Sequence, residues 1–318
     1  MIRLRTLDDQ HELVESFTRP AEALLPLARL REGGSPDGEI WQQLAELGWL
    51  GISLNEELGG IGLGSVEEAL TAETLARHLL TPCFLATVIA SRLTAACNRP
   101  DLATPLASGA TRAALGLSPT RSPDKAIDAE NCSFALLISE DGISLRSIES
   151  IAVHDDVHWS LPVHSIGLGK IEAVTRDPAM LAFARLLGAA TLAGMADESC
   201  RIAVDYAKVR EQFGQPIGAF QAVKHHCANM AIAAYGAREL VHYAAMAIED
   251  HDGEAVTLAG AALNFAARAA RSNSGTCIQV HGGIGFSAEA DPHHFVKRTH
   301  LMEDAFGGRE TLSRTLVA

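Results

Sequence analysis

From Met1 to about Arg112 the apolar residues recur at helical spacing. Leu13, Phe17, Ala21, Leu24 and Ala28 fall three and four positions apart, as on one face of a helix. Pro20 and Pro26 lie within that run and predict that it is not one unbroken helix. Asp37 has the form of an N-cap before a helix through Trp41, Leu44 and Leu47, which Gly48 and Gly51 end. Ser65, with Glu68 three residues on, reads as a capping box opening the next helix. Pro82 interrupts, and a further helix runs to about Cys97.

Between Ala113 and Val174 the period shortens. Four runs of β type, Ala113–Leu117, Phe134–Ser139, Ile148–Val153 and Val157–Leu161, are parted by turn signals such as Ser122-Pro123-Asp124 and Asp141-Gly142. From Asp177 the helical period returns. Asp177-Pro178 is an N-cap followed by a first-turn proline, and the helix it opens can continue to about Glu211, roughly 50 Å at the α-helical rise. Gly214–Gly218 is a turn. A second long helix is predicted from about Ala219 to Asp250, and His251-Asp252-Gly253 turns the chain. A third runs from about Glu254 to Val280, ended by the glycine-rich His281–Gly285, and a last short helix follows. Alanines on most faces of these helices, among them Ala189, Ala190, Ala193 and Ala196, call for close partners on several sides. The predicted fold is mainly α with a small β domain: an N-terminal helical domain (1–112), a reduced β domain (113–176) and a C-terminal four-helix bundle (177–318).

Composition narrows the function. Over 318 residues the net charge is −13, which leaves no basic footprint for nucleic acid or an anionic membrane surface. Hydrophobic residues make up 47%, enough to bury a large core and exclude global disorder. No apolar run approaching the roughly 20 residues of a membrane span is expected, and Met1–Pro20 has no secretory pattern. The six cysteines are scattered without a CxxC pair, which fits reduced thiols in a cytoplasm. Neither histidine doublet, His225-His226 or His293-His294, suits a metal, because neighbours on a helix point about 100° apart. Asp205 and Lys208 read as a surface ion pair.

Three stretches carry a resemblance to the acyl-CoA dehydrogenase family. Leu47-Gly48-Trp49-Leu50-Gly51-Ile52 with Glu56-Glu57-Leu58-Gly59-Gly60 resembles that family's GWLG…PEEYGG, with Asn55 where proline is usual. Val209-Arg210-Glu211-Gln212-Phe213-Gly214-Gln215-Pro216-Ile217 with Phe220-Gln221 resembles its R-x-Q-F-G-x-x-I…F-Q signature. Gln279-Val280-His281-Gly282-Gly283-Ile284-Gly285-Phe286 is similar to its Q-x-x-G-G-x-G-[YF]. The order of helical, β and helical parts matches over essentially the whole chain. The resemblance implies that the second and third stretches bind FAD of a neighbouring subunit, through Arg210, Gln212, Phe213, Phe220, Gln221, Gln279, Val280, His281, Gly282 and Gly283. The residue chemistry suits this. A guanidinium can pair with pyrophosphate, amides can donate hydrogen bonds, and glycines let backbone N–H groups approach an anion. On the residues alone, Arg210 equally reads as a helix C-cap, the glycines as a helix end, and His281 as bonding the backbone.

The chain also departs from the family pattern. The family's reaction needs a glutamate to remove the α-proton of an acyl-CoA thioester, at one of two positions. Counting back from Arg210 places Ala184, beside Arg185, at one of them. Phe306-Gly307-Gly308-Arg309 places Gly307 at the other. Neither can take a proton, although Glu303 and Asp304 are near. The β region lacks the family's T-E-P-x-x-G-S-D segment; Gly116–Pro123 stands there instead. No catalytic and no metal residue is therefore predicted. The expectation is a non-catalytic subunit of a heteromeric, FAD-dependent acyl-CoA dehydrogenase. A longer catalytic chain would be its partner in an α2β2 heterotetramer and would hold most of the acyl-CoA substrate, a steroid side chain or another bulky acyl group. Two other readings stay open: a self-sufficient homo-oligomer using Glu303 or Asp304 as base, and a flavin-free structural protein on the same scaffold.

Overall fold

The computed structural model describes residues 7–31, 38–153, 161–309 and 312, with side chains from Val14 onward. Five helices come first: α1 (Leu7–Leu24), α2 (Gly38–Glu46), α3 (Ser65–Arg77), α4 (Pro82–Ala96) and α5 (Pro100–Ala107). α1 passes through Pro20, against expectation. Pro20 sits on the half-exposed side, while Phe17 and Ala21 are buried, and there the helix tolerates a missing N–H. Asp37 lies outside the described residues. The capping box at α3 is displaced by one residue from its expected place. Gly64 is the N-cap, and its N–H donates to the Glu67 carboxylate at 2.8 Å. Glu68 instead turns inward and accepts from the Ser53 N–H at 2.9 Å.

The middle of the chain is a closed five-stranded barrel of β1 (Ala113–Gly116), β2 (Lys125–Ile127), β3 (Phe134–Ile138), β4 (Ile143–Val153) and β5 (Val163–Thr175), in the order β1-β2-β5-β4-β3. Only the β1–β3 contact is parallel, with Ala113 opposite Phe134. The sequence pattern reveals β1, β3 and half of β4 but misses β2 and β5. β5 is masked by Gly167 and Gly169. A Cβ on Gly167 would stand 2.4 Å from the Ser150 hydroxyl, so these glycines make room for crowded cross-strand neighbours where β4 bulges. Most of the expected Val157–Leu161 run lies outside the described residues, and Leu161 itself is in a bend.

α6 (Pro178–Val209) is the axis of the second helical part. It opens as expected, with the Asp177 carboxylate accepting from Ala179 N–H at 3.0 Å. α7 (Gln221–Glu249), α8 (Ala255–His281) and α9 (Pro292–Ala305) pack around it, and α3 crosses its flank. Contrary to the expectation of no membrane-length apolar stretch, α6 is long and apolar enough to span one. Yet 83% of its most apolar 18-residue window is buried inside the fold, as befits the core helix of a packed domain. Small residues permit that burial. A Cβ on Gly194 would come within 2.1 Å of the Glu73 carbonyl, so α6 and α3 touch almost backbone to backbone. Asn273 on α8 donates to the carbonyls of Ala196 (3.0 Å) and Met230 (2.9 Å), tying three helices together through one buried amide.

Two glycines separate packing from propensity. Gly194→Ala should destabilise the chain by at least about 1–3 kcal/mol, the usual cost of overpacking. Gly275→Ala, on an open face of α8 where a Cβ meets nothing within 4 Å, should stabilise it by about 0.5–1 kcal/mol. Denaturant unfolding of the two variants measures both signs.

Candidate functional site

The second and third sequence motifs meet where α6 and α8 end. α6 stops at Arg210, and Gln212-Phe213-Gly214-Gln215 forms a tight hairpin between two two-residue strands, β6 (Glu211–Gln212) and β7 (Gln215–Pro216). Such a loop needs positive φ at both central residues, and Phe213 (53°) and Gly214 (80°) supply it. A phenylalanine rarely adopts this conformation, and this one is 92% exposed. Its ring meets only the edge of Phe220, at 6.1 Å between centroids. A strained, solvated aromatic is costly in isolation and is a mark of a surface that receives something.

Arg210 is exposed, and among the described residues no hydrogen bond or ion pair engages its guanidinium, so it does not cap α6 with its side chain. Gln212 and Gln221 are exposed; Gln212 Nε2 donates to its neighbour's carbonyl, Glu211 O, at 2.8 Å. Gln279, Gly282 and Gly283 face solvent beside them. Gly282 has φ of +66°, which suits glycine for backbone reasons. Gly283 does not, and a Cβ there would meet nothing within 4 Å. No packing within the chain demands glycine at 283, and the space is open to an external group approaching the backbone N–H. Two expected members differ from the rest in how their side chains are placed. Val280 is 8% exposed and packs with Cys200, Ala203 and Met230, so only its backbone can take part. His281 spends Nδ1 on the Cys277 carbonyl at 2.8 Å and stacks on Tyr206 at 4.1 Å, which favours its backbone reading.

The two positions that would carry a base lie elsewhere. Ala184 and Arg210 are on one helix, 26 residues apart, which is about 39 Å. Ala184 is fully buried. Next to it the Phe183 ring carries the Arg92 guanidinium 4.0 Å from its centroid. One turn on, Gly188 is covered by the Phe306 ring, which would stand 2.4 Å from a Cβ there. Gly307 has φ of +95° and Gly308 +79°. A glutamate at 307 would have to adopt a backbone that L side chains avoid. Glu303 is buried and clasped by Arg271, with Nε at 2.9 and 3.2 Å from its two oxygens. Asp304 pairs with Arg121 at 3.1 Å and accepts from Ser118 N–H at 3.4 Å. Both acids are therefore paired with arginines.

Sequence reasoning missed the charges packed beside this interior. Glu68 is buried and Arg92 half-buried, and nothing in the local pattern separates them from surface charges on an amphipathic helix. Burial pushes the Glu68 carboxyl up to about 7, against the lowering effects of the Ser53 hydrogen bond and Arg92. An unfolded glutamate titrates near 4.3. Between those values the folded chain keeps a proton that the unfolded chain has released. Glu68 therefore costs nothing below about pH 4, and its cost grows to about 3 kcal/mol as the pH rises to 7. Glu68→Gln should match the parent near pH 4 and exceed it in stability at pH 8, measured by denaturant unfolding at both values.

Comparison with known proteins agrees with this arrangement. The family model for the acyl-CoA dehydrogenase N-terminal domain matches residues 7–98, and that for the C-terminal domain matches residues 176–318. Acyl-CoA dehydrogenase FadE34 of Mycobacterium tuberculosis is 32% identical over 96% of this chain, and the chain spans only about half of it (47%). Acyl-CoA dehydrogenase IpdE2 of the same organism is 30% identical over 83% of this chain and 81% of its own length. Among solved structures, the Tcur3481–Tcur3483 steroid ACAD variant superimposes with a TM-score of 0.81 at 23% identity, covering 98% of this chain and 97% of that one. The ChsE4–ChsE5 complex from Mycobacterium tuberculosis gives 0.80 at 21%, over the same shares. At these identities the structural likeness shows the fold alone, and it is the fold described above. By its two matched domains and its likeness to IpdE2, the chain belongs to the acyl-CoA dehydrogenase family.

Proposed function

We propose that this chain is the non-catalytic, flavin-sharing subunit of a heteromeric acyl-CoA dehydrogenase. FAD is the cofactor of the family, and when bound it accepts the hydride that leaves the substrate's β-carbon. One observation carries the reading. The residues that would hold FAD, the Val280 side chain apart, lie at or near the surface at the far end of α6, while Ala184 is buried and neither it nor Gly307 carries a carboxylate. The outward half-site fits the nucleotide. The unengaged Arg210 guanidinium suits a pyrophosphate, Gly282 and Gly283 leave their N–H groups approachable, Gln212 and Gln279 supply amides, and Phe213 with Phe220 offers apolar surface. Val280 and His281 contribute through the backbone, and Gln221 borders the site.

The surface around it supports a partner chain. Along α7, Ala222, Ala228, Ala231, Ile232, Tyr235 and Tyr243 are exposed among Lys224, His225 and Glu239, a mixed apolar and charged face on the helix that begins at the half-site. Such a face is wet only in the isolated chain, and obligate interfaces commonly bury more than about 2,000 Å². The partner would be a longer homologue that keeps the glutamate and the acyl pocket, and the assembly an α2β2 heterotetramer. The pairs in the ChsE4–ChsE5 complex and in the Tcur3481–Tcur3483 steroid ACAD favour this arrangement, and the latter favours a bulky acyl group such as a steroid side chain.

Co-expression with a longer, glutamate-bearing homologue tests the proposal. The purified complex should show a flavin absorption spectrum and oxidise acyl-CoA. Arg210→Ala in this chain should strip most of the flavin, and Glu303→Gln should leave activity intact. A complex without flavin, or dehydrogenation by this chain alone, would overturn the reading.

A further inference from the structure

We propose that Cys83 and Cys132 form a peroxide-sensitive dithiol that closes to a disulfide between α4 and the turn joining β2 to β3. The two sulfurs lie 3.3 Å apart, in hydrogen-bond contact and little more than 1 Å beyond bonding distance. Among the described residues no other two thiols are in such contact, and all six are free. Cys83 is fixed at the first turn of α4, where its N–H meets the Thr81 hydroxyl at 3.3 Å. Cys132 is fixed by a turn with little freedom. Asp128 N–H donates to Pro162 O at 2.8 Å, Ala129 N–H to His164 Nδ1 at 3.1 Å, and Cys132 N–H to Ala129 O at 3.0 Å. The Thr81 hydroxyl also bonds the Asp128 carboxylate, so one residue pins both sides of the sulfur pair.

Either sulfur can donate to the other, and Cys132 Sγ also lies 3.5 Å from the Asp128 carbonyl. The contact with Cys132, with burial, holds the Cys83 thiol well above its usual range. Cys132, the more exposed of the two at 8% against 3%, is assigned the first attack. Beside it is a polar crevice of about 10 Å³, lined by Trp41, Arg112, Asp128 and Asn131 as well as both cysteines. That is room for one water-sized molecule. Cys83 and Cys132 are 3% and 8% exposed, so a bulky oxidant is excluded, and a small one such as hydrogen peroxide reaches them by opening this crevice slightly.

The chemistry balances. Cys132 sulfur attacks one oxygen of hydrogen peroxide, the O–O bond breaks, and the departing hydroxide takes the thiol proton as water, leaving a sulfenic acid. Cys83 sulfur then attacks that sulfur. The S–O bond breaks, the Cys83 proton leaves with the hydroxyl as a second water, and the S–S bond forms. Two thiols are oxidised by two electrons in total, and one peroxide is reduced to two waters. The product bond links the helical part of the chain to the barrel across 49 residues of sequence.

The reduced, full-length chain is treated with graded hydrogen peroxide, then unfolded, alkylated and mapped by mass spectrometry. Alkylation should fall from six cysteines to four, with a reducible Cys83–Cys132 cross-linked peptide. In Cys83→Ser a dimedone adduct should accumulate on Cys132, whereas Cys132→Ser should give none on Cys83. Retention of all six alkylated cysteines in the parent, or loss of a different pair first, would overturn the proposal. So would a dimedone adduct on Cys83 in Cys132→Ser.

Discussion

A single helix sets the terms for this molecule. α6 is 32 residues long, and Ala184 near its start and Arg210 just past its end stand about 39 Å apart. Alanine and glycine let it run through the middle of the fold with α3, α7 and α8 pressed against it. The position for a base lies in the first third, at Ala184, and the arginine of the nucleotide half-site at the last turn. No folding of the chain brings these together.

The filled interior has its own energetic logic. Phe306 packs on Gly188 and the Arg92 guanidinium on the Phe183 ring. Burying Arg92 pulls its affinity for a proton down, and burying Glu68 pushes the carboxyl up, yet each offsets part of the other's cost. Glu303 and Asp304 are likewise neutralised, by Arg271 and Arg121. These ion pairs hold α9 to α8 and to the segment after β1. The reverse holds at the far end of α6, where Phe213 is held in a strained conformation with no partner that would repay it within the chain.

Much of this was legible in the sequence because the relevant signals are local. Asp177-Pro178 announces the start of α6, and the glycine-bearing motifs announce where α6 and α8 end. The periodicity marks every long helix. What was not legible depends on tertiary distance. Glu68 and Glu67 are equivalent as capping partners by spacing, and only the neighbouring Ser53 loop decides which turns inward. β5 was hidden because Gly167 and Gly169 serve the partner strand rather than their own. Val280 reads as part of a binding motif, but its side chain belongs to the core. The approach of Cys83 to Cys132 has no sequence signature at all, since it depends on α4 packing against the barrel.

The central claim is that the surviving half-site faces outward, to a second polypeptide. A structure of the purified complex with its catalytic partner, solved with flavin bound, tests this most directly. The account predicts FAD density against Phe213, Arg210 and the Gln279–Gly283 segment, with the flavin ring in the partner chain and the interior around Ala184 unchanged. Flavin seated between Ala184 and Phe306 of this chain would contradict it.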